Sequence, residues 1–327
     1  MLLKLYRGIG PGTGLIILIT AVLIWIQDFI DPVTPGYYHD IDPMPLYELF
    51  LRLLSGRQLI VTMLIFIMVL IISAYLVRFN TRLFFINERT FLPASLYILL
   101  SGYLPGLQVC YPVVPAALFL LIALDRIISS YRKPGVAYNF FDAALLIGIG
   151  SMFYFNVIWF YLIVIIGILL IRTINMREIT ISLFGLITPY LVLYAYYYIA
   201  GKDINLLNKL LLSNITTIVP EYYWSPLLII LSILNSLILI IAMLHLWRGF
   251  NKKKVQSRKT FSILIWILLI ATGVYLLVPT VSIEMMYIFL VPLVYIVTHF
   301  LIFLRNKKIA NIIFVIILLS VIILNVF

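Results

Sequence analysis

Charge is what this sequence has least of. Only 11% of its 327 residues are Asp, Glu, Lys or Arg, against about 25% in an ordinary soluble domain. Hydrophobic residues make up 64% of the chain and the mean hydropathy is +1.16. No water-soluble core hides that much apolar surface, so the chain belongs in a bilayer. Cysteine is nearly missing: Cys110 stands alone, which excludes an intrachain disulfide and a zinc centre built mainly on thiolates. Histidine is scarce and scattered. His39, His245 and His299 form no HExxH and no acid–histidine cluster, which argues against a catalytic metal site. His245 and His299 fall near span ends and read as interfacial. P-loop, Rossmann glycine fingerprint and GxSxG are all absent.

Long apolar runs are plentiful. At about 20 residues per crossing, eleven are expected as spans: about 10–30, 59–77, 92–109, 110–128, 138–155, 156–172, 179–199, 227–247, 261–279, 285–304 and 308–326. The first run ends in QDFIDP rather than at a small-residue cleavage site, so it reads as a permanent span. The pairs within 92–128 and 138–172 are short, and Pro105, Pro112, Pro115 and an FYFN corner interrupt them. Hairpins of this kind are tolerated only when buried in protein or lining a cavity. The expected fold class is an all-α polytopic membrane bundle, one domain over 1–327, with outer loops at 31–58 and 200–226. PLYELFLRLLSG (45–56) and 203–214 carry an apolar stripe but are too short to span. They are expected as interfacial helices on the outer face that wall one groove. Glycines in LIGIGSMF allow close helix packing.

The charges that exist are sorted. Nineteen of the 23 lysines and arginines fall in alternate connections when the N-terminus is cytoplasmic. The outer segments keep only Arg52, Arg57, Lys202 and Lys209. This is the positive-inside pattern, and it predicts a C-terminus outside. It also accounts for the net charge of +11 without nucleic acid as a partner. KKKVQSRK reads as a cytoplasmic anchor that could attract anionic lipid.

The acids run the other way. Asp28, Asp31, Asp40, Asp42 and Glu48 crowd into one polar interval, Asp28 to Gln58. Carboxylates at a membrane surface can take a proton from an acceptor hydroxyl or hold a divalent cation. Asp28 and Asp31 are spaced to share a helix face. Asp31-Pro32 and Asp42-Pro43 equally start turns in a solvated loop. No cofactor is called for, although a divalent cation at these carboxylates fits the chemistry. Asp142 lies just inside an expected span, where Arg126 would suffice as its partner.

The layout resembles the GT-C membrane glycosyltransferases. The matching features are Asp28 to Asp42 after a first span, the PLYELFLRLLSG helix, the short pairs, RTINMREITISLFGLITPYLVLYAYYYIAG (172–201), and the late motif EMMYIFLVPLVY (284–295). The whole chain is also similar to a family of Bacteroidota inner-membrane proteins. The GT-C resemblance implies an envelope enzyme on the outer face of the inner membrane, using a polyprenyl-phosphate sugar. It implies Asp31 or Asp40 as the base, among Asp28, Asp31, Asp40 and Asp42. Arg52 or Arg57 would be the phosphate partner, with Lys202 beside them and Glu284 as the reserve acid. Met286 stands where that family has an arginine before the tyrosine. A non-catalytic subunit of an envelope assembly, with protein partners, is the alternative. A transporter finds less support: charges deep in the spans are nearly absent and no inverted repeat is visible.

Overall fold

A computed structural model describes residues 2–32, 43–54, 57–104, 111–133, 135–172, 175–218 and 224–326. In chain order the helices are α1 (Leu2–Arg7), α2 (Pro11–Ile30), α3 (Pro45–Leu53), α4 (Gln58–Leu83), α5 (Leu92–Ser101), α6 (Val113–Ser129) and α7 (Ala137–Ser151). A 3-10 segment, Phe155–Phe160, leads into α8 (Tyr161–Ile171). Then come α9 (Met176–Ile199), α10 (Ile204–Thr216), α11 (Pro226–Arg248), α12 (Val255–Leu277), α13 (Met286–Phe303) and α14 (Lys307–Val326). No strand occurs among the described residues.

Local sequence explains the helix starts. Proline sits in the first turn of α2, α3, α5 and α11, where its missing N–H costs nothing. Asn175, Asp203 and Ser225 cap α9, α10 and α11 through their side chains. Seven of the described helices are long and apolar enough to cross a bilayer: α2, α4, α9, α11, α12, α13 with its 3-10 lead-in, and α14. The protein is therefore membrane-embedded. Alpha-4 runs on to Leu83, past the expected end at Val77, and α12 begins at Val255 rather than 261. In α4 the extra turns carry Arg82 to Asp125, which neutralises it.

The basic segments gather at one end of the bundle. Arg7 makes two bonds of 2.7 Å to Glu88. Arg82 pairs with Asp125, which also accepts from Tyr75 at 2.9 Å. Arg126 lies 4.0 Å from Asp142, and Arg172 is 2.5 Å from Glu178. Lys259 donates to the Ile171 carbonyl. At the opposite end Leu46 meets Met152, Tyr154 meets Glu284, and Asn156 meets Thr280.

Alpha-13 is by far the most enclosed of the seven long helices. Its Tyr295 packs with Phe79, tilted, and with Phe85, edge-on, and Phe85 in turn meets Phe79 and Phe261 edge-on, with ring centroids 5.0–5.8 Å apart. Alpha-7 and α9 touch through glycine. A Cβ at Gly185 would lie 2.4 Å from the Phe141 carbonyl oxygen, and one at Gly148 would lie 2.8 Å from that of Leu186. Small residues at a helix interface let backbones approach this closely, and van der Waals packing then holds helices together in lipid.

Candidate functional site

At the end away from the basic segments, α3 docks on the α7–α9 pair. The Leu46 N–H donates to the Met152 carbonyl at 3.1 Å. Met44, Met152 and Phe155 form a small core, packed by Leu46, by Tyr190 and Leu193 of α9, and by Leu210 and Leu211 of α10. Tyr194 of α9 donates to Asn208 of α10 at 2.6 Å. Both short amphipathic helices therefore pack on one small core, but only α3, and no residue of α10, lines the cavity beside it.

A cavity of about 550 Å³ opens between α3, α7 and α9. Leu145, Ile149 and Met152 line it from α7; Pro189, Val192 and Leu193 line it from α9. Its polar lining is Glu48 and Arg52 of α3, Thr188, Tyr196 and Tyr197 of α9, and Lys202. Arg52 bonds Glu48 at 2.5 Å, one helical turn away, with the arginine side chain 73% exposed. Such an exposed pair is weak, about 0.5 kcal/mol. The Lys202 Nζ lies 5.1 and 5.3 Å from the ring centroids of Tyr196 and Tyr197, a cation–π seat. Lys202 pairs with no carboxylate among the described residues. A mostly apolar cavity carrying two cations and one carboxylate, with Lys202 free of any acid partner among the described residues, suits an amphiphile with an anionic head.

The other candidate residues stand elsewhere. Arg57 precedes α4, exposed and off the cavity, and Lys209 is exposed on α10. Asp31 is the exposed C-cap of α2, its N–H bonded to the Gln27 carbonyl at 2.9 Å. Asp28 is half-buried and partnered, within electrostatic reach of Tyr287, which also neighbours Tyr97 and Tyr111. Asp40 and Asp42 lie outside the described residues, as do His39, Pro105, Cys110 and Glu221. Glu284 is fully buried. It accepts from the Tyr154 hydroxyl at 3.0 Å, the Ser282 N–H at 3.1 Å and the Ser282 hydroxyl. A carboxylate held by three donors braces the segments that supply them.

The structure thus places Arg52 and Lys202 on the lining of one cavity. It adds Glu48, Tyr196 and Tyr197, which sequence reasoning did not single out as site residues. The Glu48–Arg52 spacing was a readable signal; the approach of the α9 tyrosines was not. Asp142 has Arg126 as its neighbour, as expected. Among the described residues no three His, Cys, Asp or Glu side chains are grouped to hold a metal ion. No family model, curated protein or solved structure matches the chain.

Proposed function

We propose that the protein is a GT-C-type glycosyltransferase of the bacterial inner membrane, using a polyprenyl-phosphate sugar on the outer face. One observation carries this reading: Arg52 and Lys202, from separate segments, line the same mostly apolar cavity. The polyprenyl chain lies along the α7–α9 wall and the phosphate bridges Arg52 and Lys202 through charge-assisted hydrogen bonds. The acceptor oxygen bonds the sugar's anomeric carbon as the bond from that carbon to the lipid phosphate breaks, and a carboxylate takes the acceptor hydroxyl's proton. Glu48 joins Asp31 and Asp40 as a candidate for that role. The reading includes eleven crossings, with the N-terminus cytoplasmic and the C-terminus outside. The gathering of basic segments at one end supports it.

The test uses the full chain in nanodiscs with a polyprenyl-phosphate sugar. Binding is expected, with slow sugar release in which water takes the acceptor hydroxyl's place, and R52A and K202A each weaken binding roughly tenfold. Failure of the wild type to bind the lipid would overturn the reading.

A second reading draws on a different observation. Glu48 is already paired with Arg52, while Asp28, Asp31 and Glu284 stand off the cavity. A non-catalytic subunit of an envelope assembly would hold the lipid without turning it over. Binding without sugar release in the same experiment identifies that case.

A further inference from the structure

A second cluster of polar side chains lies at the basic end, far along the chain from the cavity residues. His245 near the end of α11, Lys253 in the α11–α12 connection and His299 near the end of α13 meet there. His299 is only 3% exposed. Its ring centroid is 5.9 Å from that of His245. Lys253 Nζ contacts His299 Nε2 and lies 5.3 and 5.6 Å from the ring centroids of Phe261 and Phe303. Phe261 closes the site from α12 and Phe300 from α13.

The donor count is lopsided. Lys253 donates to Nε2, so neutral His299 carries its proton on Nδ1 and offers an N–H there. That Nδ1 is buried with no hydrogen-bond partner, and so is Nδ1 of His245. The charged groups that act on the two imidazoles are Lys253 and Arg248, both cationic. No carboxylate pairs with His245, Lys253 or His299 among the described residues. A buried donor on His299 without an acceptor, beside a buried ring nitrogen of His245 without a partner, calls for an explanation such as a bound ion.

We infer that His245, Lys253 and His299 form a site for an oxyanion of the phosphate type, presented free or as the headgroup of an anionic lipid. Such an ion supplies acceptors for the two imidazoles and a counter-charge for the lysine. Burial alone holds Lys253 below its ordinary pKa of 10.5, as expected of a desolvated cation with no counter-charge among the described residues. The site sits near the ends of α11 and α13. Basic pockets between spanning helices take anionic headgroups there.

The experiment measures thermal unfolding of the full chain in nanodiscs of phosphatidylcholine alone, of phosphatidylcholine with added inorganic phosphate, and of phosphatidylcholine with phosphatidic acid. An increase of about 3 °C or more is expected in at least one anionic arm. A shift with inorganic phosphate marks a free-anion site, and a shift only with phosphatidic acid marks a headgroup site. H299Q and K253Q are expected to weaken the anion's apparent affinity roughly tenfold. Their midpoints without anion separate lost binding from lost folding. No shift in either anionic arm, or a shift undiminished in both variants, overturns the proposal.

Discussion

The hydroxyl of Tyr154 reaches the carboxylate of Glu284 at 3.0 Å, joining the corner after α7 to the lead-in of α13. Just before that corner, Met152 lines the cavity and accepts the backbone bond from Leu46. A buried acid therefore holds the cavity wall from behind.

Removing that support is expected to cost stability. Y154F leaves Glu284 with one donor fewer, at about 1.5–3 kcal/mol for a bond to a charged group. E284A is expected to cost more than E284Q, because the amide fills the space and keeps an acceptor. Unfolding midpoints in one detergent give the ranking, and equal midpoints for all three variants would refute the bracing role.

Gly185 has no room for a methyl group. A Cβ there falls 2.4 Å from the Phe141 carbonyl oxygen, whereas nothing lies within 4 Å of a Cβ at Gly273. G185A is expected to destabilise by about 1–3 kcal/mol through overpacking. G273A should be neutral or mildly stabilising, since glycine is the poorer helix residue. Thermal unfolding of both variants side by side checks the contrast.

The Arg82–Asp125 pair is expected to behave as a coupled unit. R82Q leaves the mostly buried Asp125 carboxylate with Tyr75 but no cation, at a cost of about 1–3 kcal/mol after allowance for the partial exposure of the arginine. Adding D125N should recover part of that loss, because the uncompensated charge is gone. A double-mutant cycle measures the coupling, and simple additivity would show that the pair contributes little.

Lys253 gives a pH dependence of definite sign. Its folded pKa is lowered by burial from 10.5, so the unfolded chain binds this proton more tightly than the folded one. The penalty is fully present below the folded value. It is relieved as pH rises toward the unfolded value, so stability increases through that window. K253Q is expected to lose this part of the pH profile in alkaline titrations of the unfolding midpoint. An unchanged profile would count against the burial.

Most of the fold was legible because apolar runs are long and prolines mark helix starts. Pro45 and the stripe Leu46, Phe50, Leu53 announced α3, and the glycines of LIGIGSMF announced close packing, which Gly148 makes with α9. The site was legible only in part. Arg52 and Lys202 stood out because cations are rare on their side. Their place on one cavity follows from Leu46 reaching Met152, a contact between distant segments that no periodicity encodes. His245 and His299 read as isolated interfacial residues for the same reason. Their partner Lys253 was hidden within a run whose charge alone suggested a solvated anchor.

The bonds behind the cavity wall also set a timetable for biogenesis. Tyr154 and Asn156 leave the ribosome well before Glu284 and Thr280, the residues that secure them. Chains are made from the N-terminus onward and early segments fold first. While α9 to α12 are being inserted, the corner after α7 must wait in the bilayer with a buried amide and phenol uncommitted. Nascent chains released before α13 should therefore integrate normally yet present a slack, protease-sensitive corner, a ready handle for membrane quality control.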